Sequence, residues 1–213
     1  KDQVLSAKVL RLANSPFYGF PSRIASVAHA VVVLGLNVVK GLTLCATAFD
    51  MMRNAGMNEL WRHSLGVAMT AHILGTKAAM KNPEEVFVAG LLHDIGKVVL
   101  YVKWPDVGQQ ITTVTRNTSR PLMDTEQELF EVTHADVGGW LASAWHLPTS
   151  LREPILHHHT PAAAQDAKLQ TAIVHVADVL VKGLACGNPG DDLVPPLSRQ
   201  AWDLVGLDAQ SLA

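Results

Sequence analysis

Cysteine is scarce in this chain. Cys45 and Cys186 stand far apart in apolar surroundings, which excludes a disulfide-stapled scaffold and reads as two buried thiols in a reducing, cytoplasmic setting. No long run of lysine and arginine occurs and the formal net charge is −2, so a general nucleic-acid or membrane surface is not expected. No uninterrupted apolar stretch reaches about 18 residues, which predicts no membrane-spanning helix. No signal peptide is visible. Period-two alternation, hairpin turns, a Gly-rich phosphate loop, internal repeats and low-complexity segments are also missing. What remains is an all-α fold.

Apolar residues are plentiful, at 48% against 17% charged, and 213 residues suffice for one large domain or two small ones with a sizeable core. Ten histidines is a high count for this length. The chain opens on Lys1-Asp2-Gln3 and is helix-like at once, as expected of a piece of a longer protein.

Punctuation residues divide the chain into helices. Residues 3–13 read as helical, stopped by Asn14-Ser15-Pro16 and followed by a loop from Phe17 to Pro21. A second helix is expected from Arg23 to Leu34, ending at Gly35, and a third, capped by Asn37, to Asn54. Asn58 is expected to cap a helix reaching Met80. Asn82-Pro83-Glu84-Glu85 is a strong start for one helix running to Tyr101. Helices follow over Pro105–Arg116, after a Thr125-x-x-Glu128 capping box, over Ala135–Trp145, from Ser150, over Leu169–Leu184 and over Ser198–Val205. Pro161–Gln165 and Gly187–Pro196 read as turn and loop.

The centre of interest is Val88-Ala89-Gly90-Leu91-Leu92-His93-Asp94-Ile95-Gly96-Lys97. It places a histidine, an aspartate and a lysine within an apolar run. Buried ionisable groups are costly unless paired or bound to a metal. An adjacent His-Asp pair can serve one ion, and a carboxylate can bridge two. Lys97 is three residues after Asp94 and shares its face, where it could hold an anion. The alternative is a His and an Asp at a helix end, satisfied by local hydrogen bonds.

Other ligand-type side chains lie elsewhere. Glu59 and His63 are four apart on one helix face, as a ligand pair or as an exposed pair. His134 begins a helix, as a ligand or a cap. His157-His158-His159 follows an apolar turn; three successive residues point three ways, so not all serve one site. Asp178 lies in Ala172-Ile173-Val174-His175-Val176-Ala177-Asp178-Val179-Leu180. It needs a partner, and His175 rivals a metal for that part. His29 reads as a core or interface histidine, and His72 and His146 as structural.

Taken in order, His63, His93-Asp94 and Asp178 form the H…HD…D pattern of the HD superfamily of metal-dependent phosphohydrolases, which this sequence resembles. The resemblance implies that these four bind a first metal. Glu59, His134, His157 and His158 match the positions that complete a two- or three-metal site in the HD-GYP branch, and Lys97 matches its HD-x-x-K lysine. The Gly-Tyr-Pro motif of the cyclic-di-GMP enzymes is missing; here His157-His158-His159-Thr160-Pro161-Ala162-Ala163-Ala164 stands instead.

The first 56 residues resemble a different branch. Val9-Leu10-Arg11-Leu12-Ala13-Asn14-Ser15-Pro16-Phe17-Tyr18-Gly19 and Ile24-Ala25-Ser26-Val27-Ala28-His29-Ala30-Val31 look like the N-terminal half of an HDOD domain. His157 to Pro161 and Val174 to Asp178 resemble that family's C-terminal half. The resemblance implies one HDOD domain, with an N-terminal helical subdomain over 1–56 and an HD-like helical core over 57–213, and with the family's first helix or two missing before Lys1. It implies a bacterial signalling module that acts through a protein partner or flanking domain and retains an HD-type metal site of one or two divalent ions. Nitrogen and oxygen ligands suit iron, manganese, nickel or zinc alike. The alternative is an active phosphohydrolase acting on a phosphorylated small molecule. There His63, His93, Asp94 and Asp178 would hold one ion, Asp94 would bridge to a second held by His134, His157 and His158, an ion-bridging hydroxide would attack phosphorus, and Lys97 would offset phosphate charge.

Overall fold

The computed structural model describes residues 2–14, 23–118 and 120–207, and the expected Phe17–Pro21 loop lies outside the described residues. Helix follows helix: α1 (Asp2–Ala13), α2 (Val27–Leu34), α3 (Leu36–Asn54), α4 (Asn58–Lys77), α5 (Pro83–Leu92), α6 (Ile95–Lys103), α7 (Pro105–Thr118), α8 (Leu122–Phe130), α9 (His134–Ala144), α10 (Thr149–His157), α11 (Lys168–Gly183) and α12 (Arg199–Val205). The described residues hold no strand. The fold is all-α, and no described helix is long and apolar enough to cross a membrane.

One apolar cluster threads the whole sequence, from Val9 on α1 through Leu42, Leu74, Val88, Leu151 and Ile173 to Val205 on α12. Helix α4 packs on α5 and α11, α10 packs on α5, α9 and α11, and α6 packs on α9. Helices α1 and α2 pack on α3, which reaches the rest of the bundle chiefly through α5. Helix α5 is buried all round, so its sequence is nearly continuous in apolar residues. Asn14 closes α1: its amide donates to the Leu10 and Ile24 carbonyls and its Oδ1 accepts from Ile24 N at 2.8 Å.

Several local expectations are corrected. The helix expected from Arg23 begins at Val27, because the Ser26 side chain caps it by accepting from His29 N. Helix α3 starts directly after Gly35, so Asn37 lies inside it. Asn58 is the first residue of α4 rather than its cap. Thr125 lies inside α8, where its hydroxyl donates to the Pro121 carbonyl at 3.3 Å; the capping box of this region is Thr133 with Asp136, at the head of α9. Ser150 is inside α10, and the Glu153 carboxylate instead accepts the backbone N–H groups of Gln165, Asp166 and Ala167. His29 is half-buried on α2.

The largest correction concerns the helix expected to run from Pro83 to Tyr101. It breaks at His93-Asp94 into α5 and α6. The break turns α6 onto α9, and Gly96 is where the two backbones meet. A Cβ on Gly96 would lie 1.9 Å from the His134 carbonyl oxygen. The break therefore sets the His-Asp pair at a corner where four helices converge.

Candidate metal centre

Each side chain of the centre comes from a different element. His63 projects from α4, His93 ends α5, Asp94 sits in the break, His134 begins α9, His158 follows α10 and Asp178 lies within α11. All are essentially buried, Asp178 being the most exposed at 3%.

The distances define two overlapping clusters. His63 Nε2 is 3.0 Å from Asp178 Oδ1 and 3.9 Å from Asp94 Oδ2. His93 Nε2 is 3.3 Å from Asp94 Oδ2 and 3.9 Å from Asp178 Oδ1. On the other side, Asp94 Oδ1 lies 3.3 Å from His134 Nε2 and 3.8 Å from His158 Nε2. Asp94 thus turns one oxygen to each cluster. His134 Nε2 is in turn 3.0 Å from His159 Nε2. Three sets of ligand atoms lie within 4.8 Å of one another: His63, His93 and Asp178; His93, Asp94 and His158; and His134, His158 and His159.

Buried polar atoms are normally hydrogen-bonded. Here His63 Nε2, His93 Nε2, Asp94 Oδ1 and His158 Nε2 are buried without a hydrogen-bond partner among the described residues. All belong to the ligand sets above. The 3.0 Å approach of His63 Nε2 to Asp178 lacks hydrogen-bond alignment, so that nitrogen remains orphaned despite its charged neighbour. Nitrogen and oxygen donors that converge without satisfying one another fit a divalent ion of the zinc, iron, manganese or nickel type.

Electrostatics prepare the same ligands. Burial alone would raise the Asp94 carboxyl, but His93 and Lys97 beside it hold it well below the usual carboxylate range. Burial would likewise raise Asp178, and the neighbouring His63 and His93 pull it far down instead. Burial lowers the imidazole of His63, and it lowers His158 and His159 strongly with help from neighbouring histidines. Burial works against charge on His93, but Asp94 and Asp178 raise it on balance. Ionised carboxylates and neutral imidazoles are the ligand forms a metal requires, so Asp94, Asp178, His63, His158 and His159 are held in those forms while the two carboxylates draw His93 towards its charged one. Lys97, also buried, donates to Asp94 Oδ2 at 2.8 Å; burial opposes its charge and Asp94 restores it.

Outer partners fix the ring orientations. His93 Nδ1 donates to the Gly90 carbonyl at 2.8 Å and His158 Nδ1 to the Ile155 carbonyl at 2.9 Å. Each bond leaves Nε2 as the lone pair facing inward. His134 Nδ1 is 2.6 Å from the fully buried Glu126 carboxylate, which also accepts from the His134 backbone N–H. Glu126 escaped the sequence reading because the nearby Thr125-x-x-Glu128 pattern suggested a cap; its only signal is its spacing, eight residues before His134. His175 does not pair with Asp178. Its Nδ1 donates to the His158 carbonyl at 2.7 Å and its Nε2 accepts from Ser198 N, so it anchors the turn that carries His158.

Two expected ligands stand apart. Glu59 is exposed on α4 and pairs with Arg62, four residues and one full turn from the buried His63. His157 is still on α10, half-buried and outside the three ligand sets. The chain turns directly after it, so His158 and His159 are the histidines delivered to His134. His72 meets Phe87 edge-on at 6.4 Å, and His146 adopts a left-handed backbone, φ +54°, on the surface.

The family model for the HDOD domain matches residues 1–161. An HDOD domain protein of unknown function from Geobacter sulfurreducens has a solved structure that is 30% identical, with a TM-score of 0.73, covering 96% of this chain and 72% of that one. A protein of Marinobacter aquaeolei VT8, provisionally named a signal transduction protein, is 22% identical with a TM-score of 0.69, covering 98% of this chain and 48% of that one. A protein of Shewanella amazonensis SB2B, provisionally named a phosphohydrolase, is 22% identical with a TM-score of 0.64, covering 99% and 81%. The last two likenesses show the fold. A curated relative, an uncharacterized protein of Treponema pallidum, is 25% identical over 199 residues, which are 91% of this chain and 38% of that protein. The chain therefore spans well under half the length of that relative.

Proposed function

The chain belongs to the HDOD family, and from that premise we propose that it is a regulatory signal-transduction module whose HD-type metal centre is structural or sensory. The observation that carries the reading is the set of orphaned nitrogen and oxygen atoms gathered at a point closed to solvent. Such atoms are stabilised by an ion, and the closure suits retention of an ion better than turnover of a bulky substrate. The provisional name of the Marinobacter relative points the same way. In this reading His63, His93, Asp94 and Asp178 hold one ion. Asp94, His134, His158 and His159 provide for a second. Glu126 and His175 orient the histidines. Residues 1–56 form a helical subdomain on the core of residues 57–213, and a protein partner or flanking domain reads the state of the whole.

A phosphohydrolase is the second reading, favoured by one feature. Lys97 binds Asp94 and also lines the cavity beside the centre. A bound divalent ion there supplies Lewis acidity and lowers the pKa of coordinated water towards about 7. The chain's own part would be Lys97 offsetting phosphate charge while Asp94 stays ionised and His63, His158 and His159 stay neutral.

The metal content of protein purified without chelator or nickel resin tests both, beside an Asp94→Ala control. One or two ions per chain in the wild type, lost in the control, are expected, with no turnover across a panel of phosphodiesters and nucleotides. Turnover that disappears in Asp94→Ala would replace the regulatory reading with the enzymatic one. A wild type that takes up neither iron nor manganese would end both.

A further inference from the structure

His175 is buried on α11, one turn before Asp178. Its two ring nitrogens reach different parts of the chain. Nδ1 lies 2.7 Å from the His158 carbonyl oxygen, and Nε2 lies 3.0 Å from Ser198 N at the head of α12. A carbonyl oxygen only accepts and a backbone N–H only donates, so Nδ1 carries the proton and Nε2 the lone pair. We propose that the docking of α12 depends on metal occupancy, with His175 as the positioning residue that couples the two. The proposal rests on the metal-centre reading and names the element through which the state of a buried centre reaches the surface.

Helix α12 is otherwise lightly held. It has 7 residues, and a helix shorter than about 12 residues needs tertiary contacts to persist. Ala201 and Val205 are its buried residues, Trp202 is half-buried and Leu204 is exposed. A cleft of about 60 Å³ remains between α12, Pro161–Ala164 and the start of α11. Its other polar bonds are internal: the Ser198 hydroxyl accepts from Ala201 N, and Arg199 pairs with Asp203. Among the described residues, the bond from Ser198 N to His175 is the one hydrogen bond that joins 198–207 to the rest of the bundle. An element with so few buried contacts opens at low free energy.

The other end of the link lies in the metal centre. His158 Nε2 is one of the orphaned atoms there, and its Nδ1 is tied to the Ile155 carbonyl. An ion on Nε2 fixes the His158 ring and with it the turn from His158 to Thr160. That turn leads into a short 3₁₀ turn, Pro161–Ala163, which packs on α10, α11 and α12. Asp178 brings the same ion to α11, the helix that carries His175. A bound ion therefore sets, from both sides, the ring that holds Ser198.

The link can be cut at a residue outside the metal centre. Ser198 has φ −66°, the angle that a proline ring imposes. Ser198→Pro removes the N–H that His175 accepts, together with the hydroxyl cap. Ser198→Ala removes the same cap and keeps the N–H. The difference between the two variants is the bond to His175. Coupling is reciprocal, so whatever factor the ion adds to the docking of α12, the docking adds to the affinity for the ion.

Hydrogen–deuterium exchange of the intact chain, manganese-loaded and chelator-treated, tests the proposal beside metal content and competition for manganese by a chelator. In the wild type and in Ser198→Ala, metal removal is expected to speed exchange of residues 199–205 by about 5–150-fold, the range of such couplings, with α1 changing little. In Ser198→Pro, α12 is expected to exchange fast in both states, and manganese to bind more weakly than in Ser198→Ala by a comparable factor. Exchange of α12 that ignores bound metal in the wild type would overturn the proposal. So would equal manganese affinity in the two variants, slow α12 exchange in metal-loaded Ser198→Pro, or equal acceleration of α1 and α12, which is general loosening. A wild type that takes up no ion overturns the metal-centre reading and this proposal with it, and metal content shows that before any exchange is read.

Discussion

At the residue scale, the centre depends on groups that hold the ligands as much as on the ligands. Glu126 shows this most directly. It is fully buried, grips both the ring and the backbone of His134, and contacts no candidate ion position itself. Removing such an outer carboxylate weakens metal binding by about 10–100-fold. Glu126→Ala is expected to lose metal to a competing chelator by that factor, whereas Glu126→Gln, which can still accept from Nδ1–H, retains most of the affinity. Equal loss in both variants would mean that the charge of Glu126, rather than its position, matters. The His93-Asp94 pair and Asp178 were legible in the sequence because ionisable residues inside apolar helices demand an explanation, and His63 because of its place in the H…HD…D pattern that resembles the HD superfamily. Glu126 and His159 were not. Each lies beside a residue with an equally good local role, and only the turn of the chain decides between neighbours such as His157 and His159.

At the element scale, the decisive event is the break between α5 and α6. Local propensity favours continuation, since Ile95, Val98 and Val99 extend the apolar pattern. Packing overrides it: α6 must lie on α9 with Gly96 against the His134 carbonyl. Gly96→Ala puts a Cβ into that backbone oxygen, which a flexible side chain cannot absorb. The expected cost is about 3 kcal/mol, or roughly 6–12 °C in melting temperature for a chain of this size. Metal content should fall with it, because the shift moves His134 away from Asp94. A Gly96→Ala chain that melts like the wild type would show that α6 and α9 are looser than their contact implies. Gly90 plays a similar part between α5 and α4, where a Cβ would lie 2.8 Å from Ala68 Cα. Nothing local to either glycine in the sequence reveals what lies opposite.

At the scale of the whole molecule, the centre joins α4, α5, α9, α11 and the turn after α10, elements spread over more than a hundred residues. An ion bound there would crosslink the bundle. Binding to the folded state alone stabilises it by about 2.7 kcal/mol at a free concentration a hundredfold above Kd, which corresponds to roughly 5–10 °C. Differential scanning calorimetry of chelator-treated chain with added manganese or iron should show that rise in the wild type and none in Asp94→Ala. A rise of equal size in both would place the ion elsewhere on the protein.

The amino-acid sequence alone determined the all-α class and most helix positions, because composition and helical periodicity are local properties. The candidate ligands Glu59, His63, His93, Asp94, His134, His157, His158 and Asp178 came from its resemblance to the HD superfamily, with only the His93-Asp94 pair and Asp178 standing out locally as ionisable groups in apolar runs. Tertiary structure alone decided where the helix carrying His93 and Asp94 would bend. It also decided that His159 rather than His157 faces His134, that Glu59 stays in solvent, and that His175 reaches both His158 and Ser198. Those outcomes depend on what lies across the bundle, and residues distant in sequence meet there only after the helices have packed.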